Sequence, residues 1–148
     1  MESTTQAKQA NKLIFLGLVL FLLGLIVGLF VPAMANPRMA LSAHLEGLMN
    51  GMFLMILGLI WTRLVLSKSL LTVTFWLLVY GSFANLTAVV IAAVTGFGRM
   101  MPIAGGKEGT GIAESLISVL LISLGLCMLA VCIIVLTGFY KHMKPWRN

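Results

Sequence analysis

A histidine, a glutamate and an asparagine follow one another closely between Ser42 and Gly58, at the start of a long apolar run. Strongly polar side chains are rare in such runs because burying them in lipid is costly. Imidazole can ligate a metal, a carboxyl group can move a proton, and an amide can donate and accept hydrogen bonds without becoming charged. His44, Glu46 and Asn50 are therefore candidates for a buried functional site.

Glycines lie on the same side of this segment as the histidine. At about 100° per residue, Gly47, Gly51 and Gly58 fall within about 60° of His44 on a helix. An imidazole beside bare backbone would suit a large flat cofactor such as a porphyrin. Small residues four apart are also a helix-packing motif, so the spacing alone leaves both interpretations open.

The composition is that of a membrane protein. The chain has 148 residues, of which 60% are hydrophobic and 9% charged, and its mean hydropathy is +1.08. Continuous apolar runs of membrane-spanning length cover residues 13–31, 45–66, 70–95 and 112–140. We therefore predict an all-α integral membrane protein, in which residues 1–148 form a single four-transmembrane-helix bundle.

The ends of these helices carry recognisable signals. Residues 1–11 are polar and are expected to form a short disordered or interfacial tail. Ser42 is a candidate N-cap for the second helix. Trp61 and Arg63 are an aromatic and a cation of the kind found at a membrane interface, so the second helix is expected to leave the membrane there.

The net charge is +6, and the basic residues lie in loops and tails. Their distribution indicates which side of the membrane each loop faces, and it gives no reason to expect a nucleic-acid partner. Four spans put both termini on one side. That side holds Lys8, Lys12, Arg63, Lys68, Lys141, Lys144 and Arg147, and the other holds Arg38, Arg99 and Lys107. The positive-inside rule then places both termini in the cytoplasm.

Helix direction brings polar residues of three helices into one half of the membrane. The second and fourth helices enter from the outer side and the third ends there, so His44, Glu46, Asn50, Asn85 and Glu114 are expected to converge on one buried site. Hydrogen bonding between helices for Asn85, and a helix dipole for Glu114, are the structural alternatives.

The glycine-rich loop of residues 96–111 is expected to be a mobile lid, with an ordinary solvated loop as the alternative. Its cations Arg99 and Lys107, or Arg38 from the first outer loop, could pair with carboxylates such as haem propionates. The chain has no Cys-x-x-Cys-His motif, so covalent haem attachment is excluded. His142 lies among cations in the tail and is not expected to be a ligand.

Several short motifs are spread along the chain between about Leu16 and Phe139. They are Asn36-Pro37-Arg38-Met39, His44-Leu45-Glu46-Gly47, Met49-Asn50-Gly51, Leu57-Gly58-Leu59-Ile60-Trp61, Thr74-Phe75-Trp76, Tyr80-Gly81, Ala84-Asn85 and Met101-Pro102-Ile103-Ala104. In these motifs the chain resembles the hydroxylaminobenzene mutase family, small bacterial membrane enzymes of nitroarene degradation. The resemblance covers nearly the whole chain.

A fainter resemblance connects the chain to styrene oxide isomerase, a trimer of four-helix subunits that binds haem b through a histidine at the subunit interface. The matching positions are His44, Asn50-Gly51 and Asn85. The resemblance implies a homotrimer in which His44 ligates the haem and the two asparagines line its distal pocket. Where the isomerase has a tyrosine, one turn after the second asparagine, this chain has Val89, which makes epoxide chemistry the less expected activity.

The mutase resemblance implies isomerisation of an N-arylhydroxylamine, such as hydroxylaminobenzene, to a 2-aminophenol. A ferric haem iron with one protein ligand keeps an open position and would act as a Lewis acid on the hydroxyl oxygen. The expected cofactor contacts are His44, Gly47, Gly51 and Arg38. The expected catalytic residues are Asn50, Asn85 and Glu114, with Glu46 as the alternative proton carrier.

Two rival classes are weighed against this enzyme. A small four-helix multidrug exporter uses a glutamate in the middle of its first helix, and the first apolar run here has no charge. A non-catalytic membrane subunit would explain the glycines but not the convergence of polar residues. The expected partners are thus a small aromatic substrate, the lipid bilayer and further copies of the chain.

Overall fold

The structure, a computed structural model, describes residues 4–144, so Arg147 of the basic tail lies outside the described residues. Four long helices make up the fold: α1 (Thr4–Leu29), α2 (Pro37–Ile60), α3 (Lys68–Thr95) and α4 (Ile112–Met143). Short 3-10 turns follow at Val31–Ala33, Trp61–Arg63 and Pro102–Ala104. Each long helix is long and apolar enough to cross a membrane, as the apolar runs predicted.

Helix α1 begins nine residues before the predicted Leu13, because its polar first turns have partners inside the protein. The side-chain amide of Gln9 donates to Thr72 Oγ1 at 3.3 Å and its carbonyl accepts from Trp61 Nε1 at 3.2 Å. Gln6 donates to the Trp61 carbonyl at 2.8 Å. Trp61 is fully buried by the protein and lies where α2 ends, at Ile60; a membrane interface at this level stays a prediction.

Helix α2 also begins earlier than predicted, at Pro37 instead of Leu45. Asn36 is its N-cap: Oδ1 accepts a hydrogen bond from the Met39 backbone N–H at 3.1 Å. Proline suits the first helical position because its missing N–H would have no partner there. Ser42, predicted to be the cap, lies inside the helix and donates to the Arg38 carbonyl at 3.2 Å.

The helices form an open arrangement. Helices α1, α2 and α3 all pack against one another, and the contact between α1 and α2 is the most extensive. Helix α4 packs on α3 and on the Trp61–Arg63 turn, and within residues 4–144 it does not pack on α1 or α2. In the described residues the four helices therefore do not close into a complete bundle within one chain, and most of the α4 surface is uncovered.

Glycines bring α1 and α2 into close backbone contact. A Cβ added to Gly47 would lie 2.5 Å from Gly24 Cα, and a Cβ added to Gly17 would lie 2.7 Å from the Gly51 carbonyl oxygen. Small residues permit such an approach. This arrangement is the helix-packing interpretation of the glycine spacing. Gly47 and Gly51, the expected cofactor contacts, are covered by α1 within one chain.

This contact gives a direct stability prediction. Gly47→Ala is expected to lower the free energy of unfolding by about 1–3 kcal/mol, because the added methyl group would meet the α1 backbone, which cannot move aside without separating the helices. The measurement is a denaturant titration of the purified protein in detergent. Gly125→Ala is the matched control, since a Cβ on that helical glycine of α4 meets nothing within 4 Å. Equal losses in both variants would contradict the prediction.

Candidate functional site

Glu46 is the centre of a polar cluster between α2 and α3. Its Oε2 accepts a hydrogen bond from Asn85 Nδ2 at 2.6 Å and another from Asn50 Nδ2 at 3.3 Å. Glu46 and Asn50 are four residues apart and therefore share one face of α2. Helix α3 runs antiparallel to α2 and supplies Asn85 from the opposite side. The two amides fix the position of the carboxyl group.

This cluster opens onto a cavity of about 500 Å³, formed by α2, α3, α4 and the loop before α4. Glu46 and Asn85 lie in its wall together with Arg38 and Ser42. The remaining lining is mostly apolar: Met39, Val89, Met100, Met101, Pro102, Ile103, Ala104 and Leu121. A mostly apolar cavity of this size with a few convergent polar groups is typical of a small-molecule site, and a single-ring aromatic compound would fit it.

Glu114, predicted to be catalytic, lies elsewhere. It is buried at the start of α4, and its carboxyl oxygens accept hydrogen bonds from the backbone N–H groups of Gly98, Arg99 and Gly109 at 3.0, 3.1 and 3.2 Å. Arg99 Nε lies 3.8 Å from the same carboxyl group. The contacts of Glu114 hold the loop, and it is not among the residues that line the cavity.

His44 points to the other side of α2. Its Nδ1 lies 2.8 Å from the Gly24 carbonyl oxygen, and its ring sits so close to Gly28 that a Cβ there would be 2.6 Å from Nδ1. A carbonyl oxygen only accepts, so Nδ1 carries the proton. In the neutral ring Nε2 then has its lone pair free.

This arrangement fits a haem ligand. Metal-binding histidines commonly donate their other ring N–H to a carbonyl or carboxylate, which fixes the tautomer and the ring orientation. Among the residues that the structure describes, no three His, Cys, Asp or Glu side chains cluster in a way that could hold a metal ion. His44 could therefore supply a single ligand through Nε2 to a metal that the described residues do not surround with further side-chain ligands of these types.

The predicted convergence is thus only partial. Glu46, Asn50 and Asn85 meet, whereas His44 faces α1 and Glu114 faces the loop. Arg38 reaches the cavity wall. In the described part of the chain the only ion pair is that of Arg99 with Glu114, so Arg38 has no carboxylate partner there.

The sequence contains a signal for the central position of Glu46. A glutamate and an asparagine four residues apart share a helix face, and Asn85 lies at a similar depth in the neighbouring antiparallel helix. Those two facts together would have favoured Glu46 over Glu114 as the carboxyl group of the site. Asn36, whose side chain donates to the loop carbonyls of Ala104 and Gly105, had no such signal beyond its place before a proline.

Comparisons with known proteins give matches over most of the chain. The family model described as styrene oxide isomerase matches residues 9–140. Hydroxylaminobenzene mutase HabB of Ectopseudomonas oleovorans is 51% identical over 137 residues, which cover 91% of this chain and 84% of the relative. Hydroxylaminobenzene mutase HabA of the same organism is 46% identical over 127 residues, covering 84% of this chain and 94% of the relative. No solved structure is significantly similar to the chain. The chain therefore belongs to the styrene oxide isomerase family and is an enzyme of the isomerase class, with mutases among its relatives.

Proposed function

We propose that this enzyme is a membrane-bound, haem-dependent mutase that converts hydroxylaminobenzene and related arylhydroxylamines to 2-aminophenols. The observation that carries the proposal is the Glu46 carboxyl group, held by two amides in the wall of a mostly apolar cavity. The names of the two mutase relatives supply the substrate class.

The reaction rearranges one molecule without net oxidation or reduction. The N–O bond breaks, a C–O bond forms at the ortho carbon, and the proton of that carbon must leave while the nitrogen gains one. Glu46 is the carboxyl group in the cavity wall and is placed to take and return this proton. Asn85 and Asn50 orient it, and the apolar wall keeps water from capturing the reactive ring.

Haem b is the proposed cofactor, with His44 as its axial ligand and Arg38 as a candidate partner for a propionate. When bound in the ferric state it would supply a Lewis acid for the hydroxylamine oxygen. The support on this chain is the Nδ1 hydrogen bond to Gly24, which leaves Nε2 of His44 available.

The working enzyme is proposed to be an oligomer, a homotrimer by resemblance, in a bacterial cytoplasmic membrane with both termini inside. Within one chain His44 and the Glu46 cavity lie on opposite sides of α2. An assembly in which His44 of one subunit faces the cavity of the next would bring the two together. The uncovered α4 surface leaves apolar area for subunit or lipid contact.

Epoxide isomerisation is the second candidate, because the matching family model carries the name of styrene oxide isomerase. Val89 argues against epoxide isomerisation. This residue is 4% exposed in the cavity wall, one turn after Asn85, where resemblance places a tyrosine in the epoxide enzyme. Valine has no hydroxyl group to donate to an epoxide oxygen.

An isotope experiment tests the proposal. Purified protein with hydroxylaminobenzene in water enriched in ¹⁸O is expected to give 2-aminophenol without label, because the oxygen returns to the same molecule inside a cavity that restricts water. Mass spectrometry of the separated aminophenols is the measurement. Substantial ¹⁸O incorporation, or 4-aminophenol as the main product, would mean attack by bulk water and would contradict the intramolecular route. Absence of any aminophenol would refute the proposed activity.

A further inference from the structure

The loop between α3 and α4, residues 96–111, forms the roof of the cavity. Its residues 100–104 line the cavity together with Glu46 of α2 and Asn85 of α3. The loop has two limbs, residues 96–99 and residues 107–109, which are joined by backbone hydrogen bonds. Gly98 N–H donates to the Lys107 carbonyl at 3.0 Å, and Lys107 N–H donates to the Gly96 carbonyl at 3.1 Å. The expected mobile lid is therefore a loop with internal structure.

Glu114 fastens the roof to α4. Its carboxyl group accepts from Gly98 and Arg99 on the first limb and from Gly109 on the second. At 4% exposure the carboxyl group has little water to replace these donors. Loss of the carboxyl group would leave the Arg99 and Gly109 N–H groups without this acceptor, while Gly98 N–H would keep only the Lys107 carbonyl; buried groups without partners are costly.

Asn36 fastens the roof to α2. While its Oδ1 caps α2, its Nδ2 donates to the carbonyl oxygens of Ala104 at 3.1 Å and Gly105 at 3.0 Å. Its backbone N–H donates to the Ala93 carbonyl of α3 at 3.0 Å. One side chain thus connects the start of the helix that carries Glu46 with the roof segment.

We propose that Asn36 and Glu114 are positioning residues for substrate binding, which hold the roof over the Glu46–Asn85 cavity from two sides. The inference rests on the proposed function for the identity of the substrate. Neither side chain lines the cavity, and both act through the backbone of residues 96–111. A roof held at one side only would open the apolar wall, so the substrate would be bound less tightly while Glu46 stayed in place.

Two near-isosteric variants test the contributions of Asn36 and Glu114 separately. Asn36→Asp keeps an oxygen to cap α2 but loses the N–H donors to Ala104 and Gly105. Glu114→Gln keeps the size of the side chain but has one acceptor oxygen for three N–H groups. Each is expected to raise KM for hydroxylaminobenzene about tenfold, the effect of losing one or two hydrogen bonds, with kcat little changed. Ser67→Ala is the control: it removes the N-cap of α3, far from the roof in the chain, and KM should not change.

Backbone hydrogen exchange of residues 96–111, followed by mass spectrometry in detergent, gives a readout that does not need turnover. Both variants are expected to exchange at least about tenfold faster there than the wild type, with other segments unchanged. Wild-type exchange or wild-type KM in either variant would overturn the proposal that Asn36 and Glu114 both hold the roof. A wild-type protein without mutase turnover would instead refute the proposed function, so the two failures are distinguishable. An equal fall in kcat and in kcat/KM would also overturn the proposal, since it would mean a role in the chemical step.

Discussion

Replacing Glu46 with glutamine is expected to lower kcat for hydroxylaminobenzene by about 10²- to 10⁴-fold, the range associated with a positioned proton carrier. Glutamine has nearly the same size and retains an oxygen that can accept from Asn85 and Asn50. It cannot take up and return a proton in the same way. The fold and the cavity should therefore persist while proton transfer is lost. Steady-state kinetics measured by separation of the 2-aminophenol product will give the ratio.

The control for this variant is Glu108→Gln, which alters the exposed glutamate of the loop and should leave kcat unchanged. Haem content and the denaturation profile should match the wild type in both variants. If Glu46→Gln retains most of its kcat, the carboxyl group is a structural acceptor for the two amides, and the proton carrier must be sought elsewhere. A variant that no longer assembles would assign Glu46 to packing.

The helices could be predicted from the sequence because bilayer-length apolar runs are a strong signal. All four were found, but α1 and α2 begin about two turns earlier than predicted. Their first turns are polar, and polar residues next to an apolar run are predicted to lie outside the helix unless their partners are known. The partners of Gln9 lie more than 50 residues away in the chain, at Trp61 and Thr72, and no local sequence pattern indicates them.

The level of the site residues along their helices could be predicted from the sequence, but the direction in which each side chain points could not. Helix orientation correctly placed Glu46, Asn50 and Asn85 at one level, where they meet. Which way each face of α2 points depends on how the helix is rotated, and the contact with α1 sets that rotation. Gly47 and Gly24 bring the two helices together, which turns His44 towards α1 and leaves Glu46 facing α3. The glycine pattern was visible, but it had two interpretations.

The largest expected effect on the cofactor is that of His44→Ala, which should abolish haem binding while the protein still inserts and assembles. The imidazole is the proposed axial ligand, and the chain has one other histidine, His142. The measurement is the Soret absorbance per mole of protein purified in detergent, with native mass spectrometry for the number of subunits and haems. His142→Ala, on the exposed last turn of α4, is the control and should retain full haem content.

Gly28→Ala tests the same assignment without touching the ligand. The added Cβ would lie 2.6 Å from Nδ1 and 2.9 Å from Cε1 of His44, so the ring must shift and lose its hydrogen bond to Gly24. Loss of such an outer partner typically weakens metal binding by about 10- to 100-fold, and haem titration should show a loss in that range. Gly125→Ala, which adds a methyl group where nothing lies within 4 Å, should bind haem normally. Undiminished Soret absorbance in His44→Ala would exclude His44 as the ligand. Normal haem affinity in Gly28→Ala alone would mean that the Gly24 hydrogen bond does not orient the imidazole for iron.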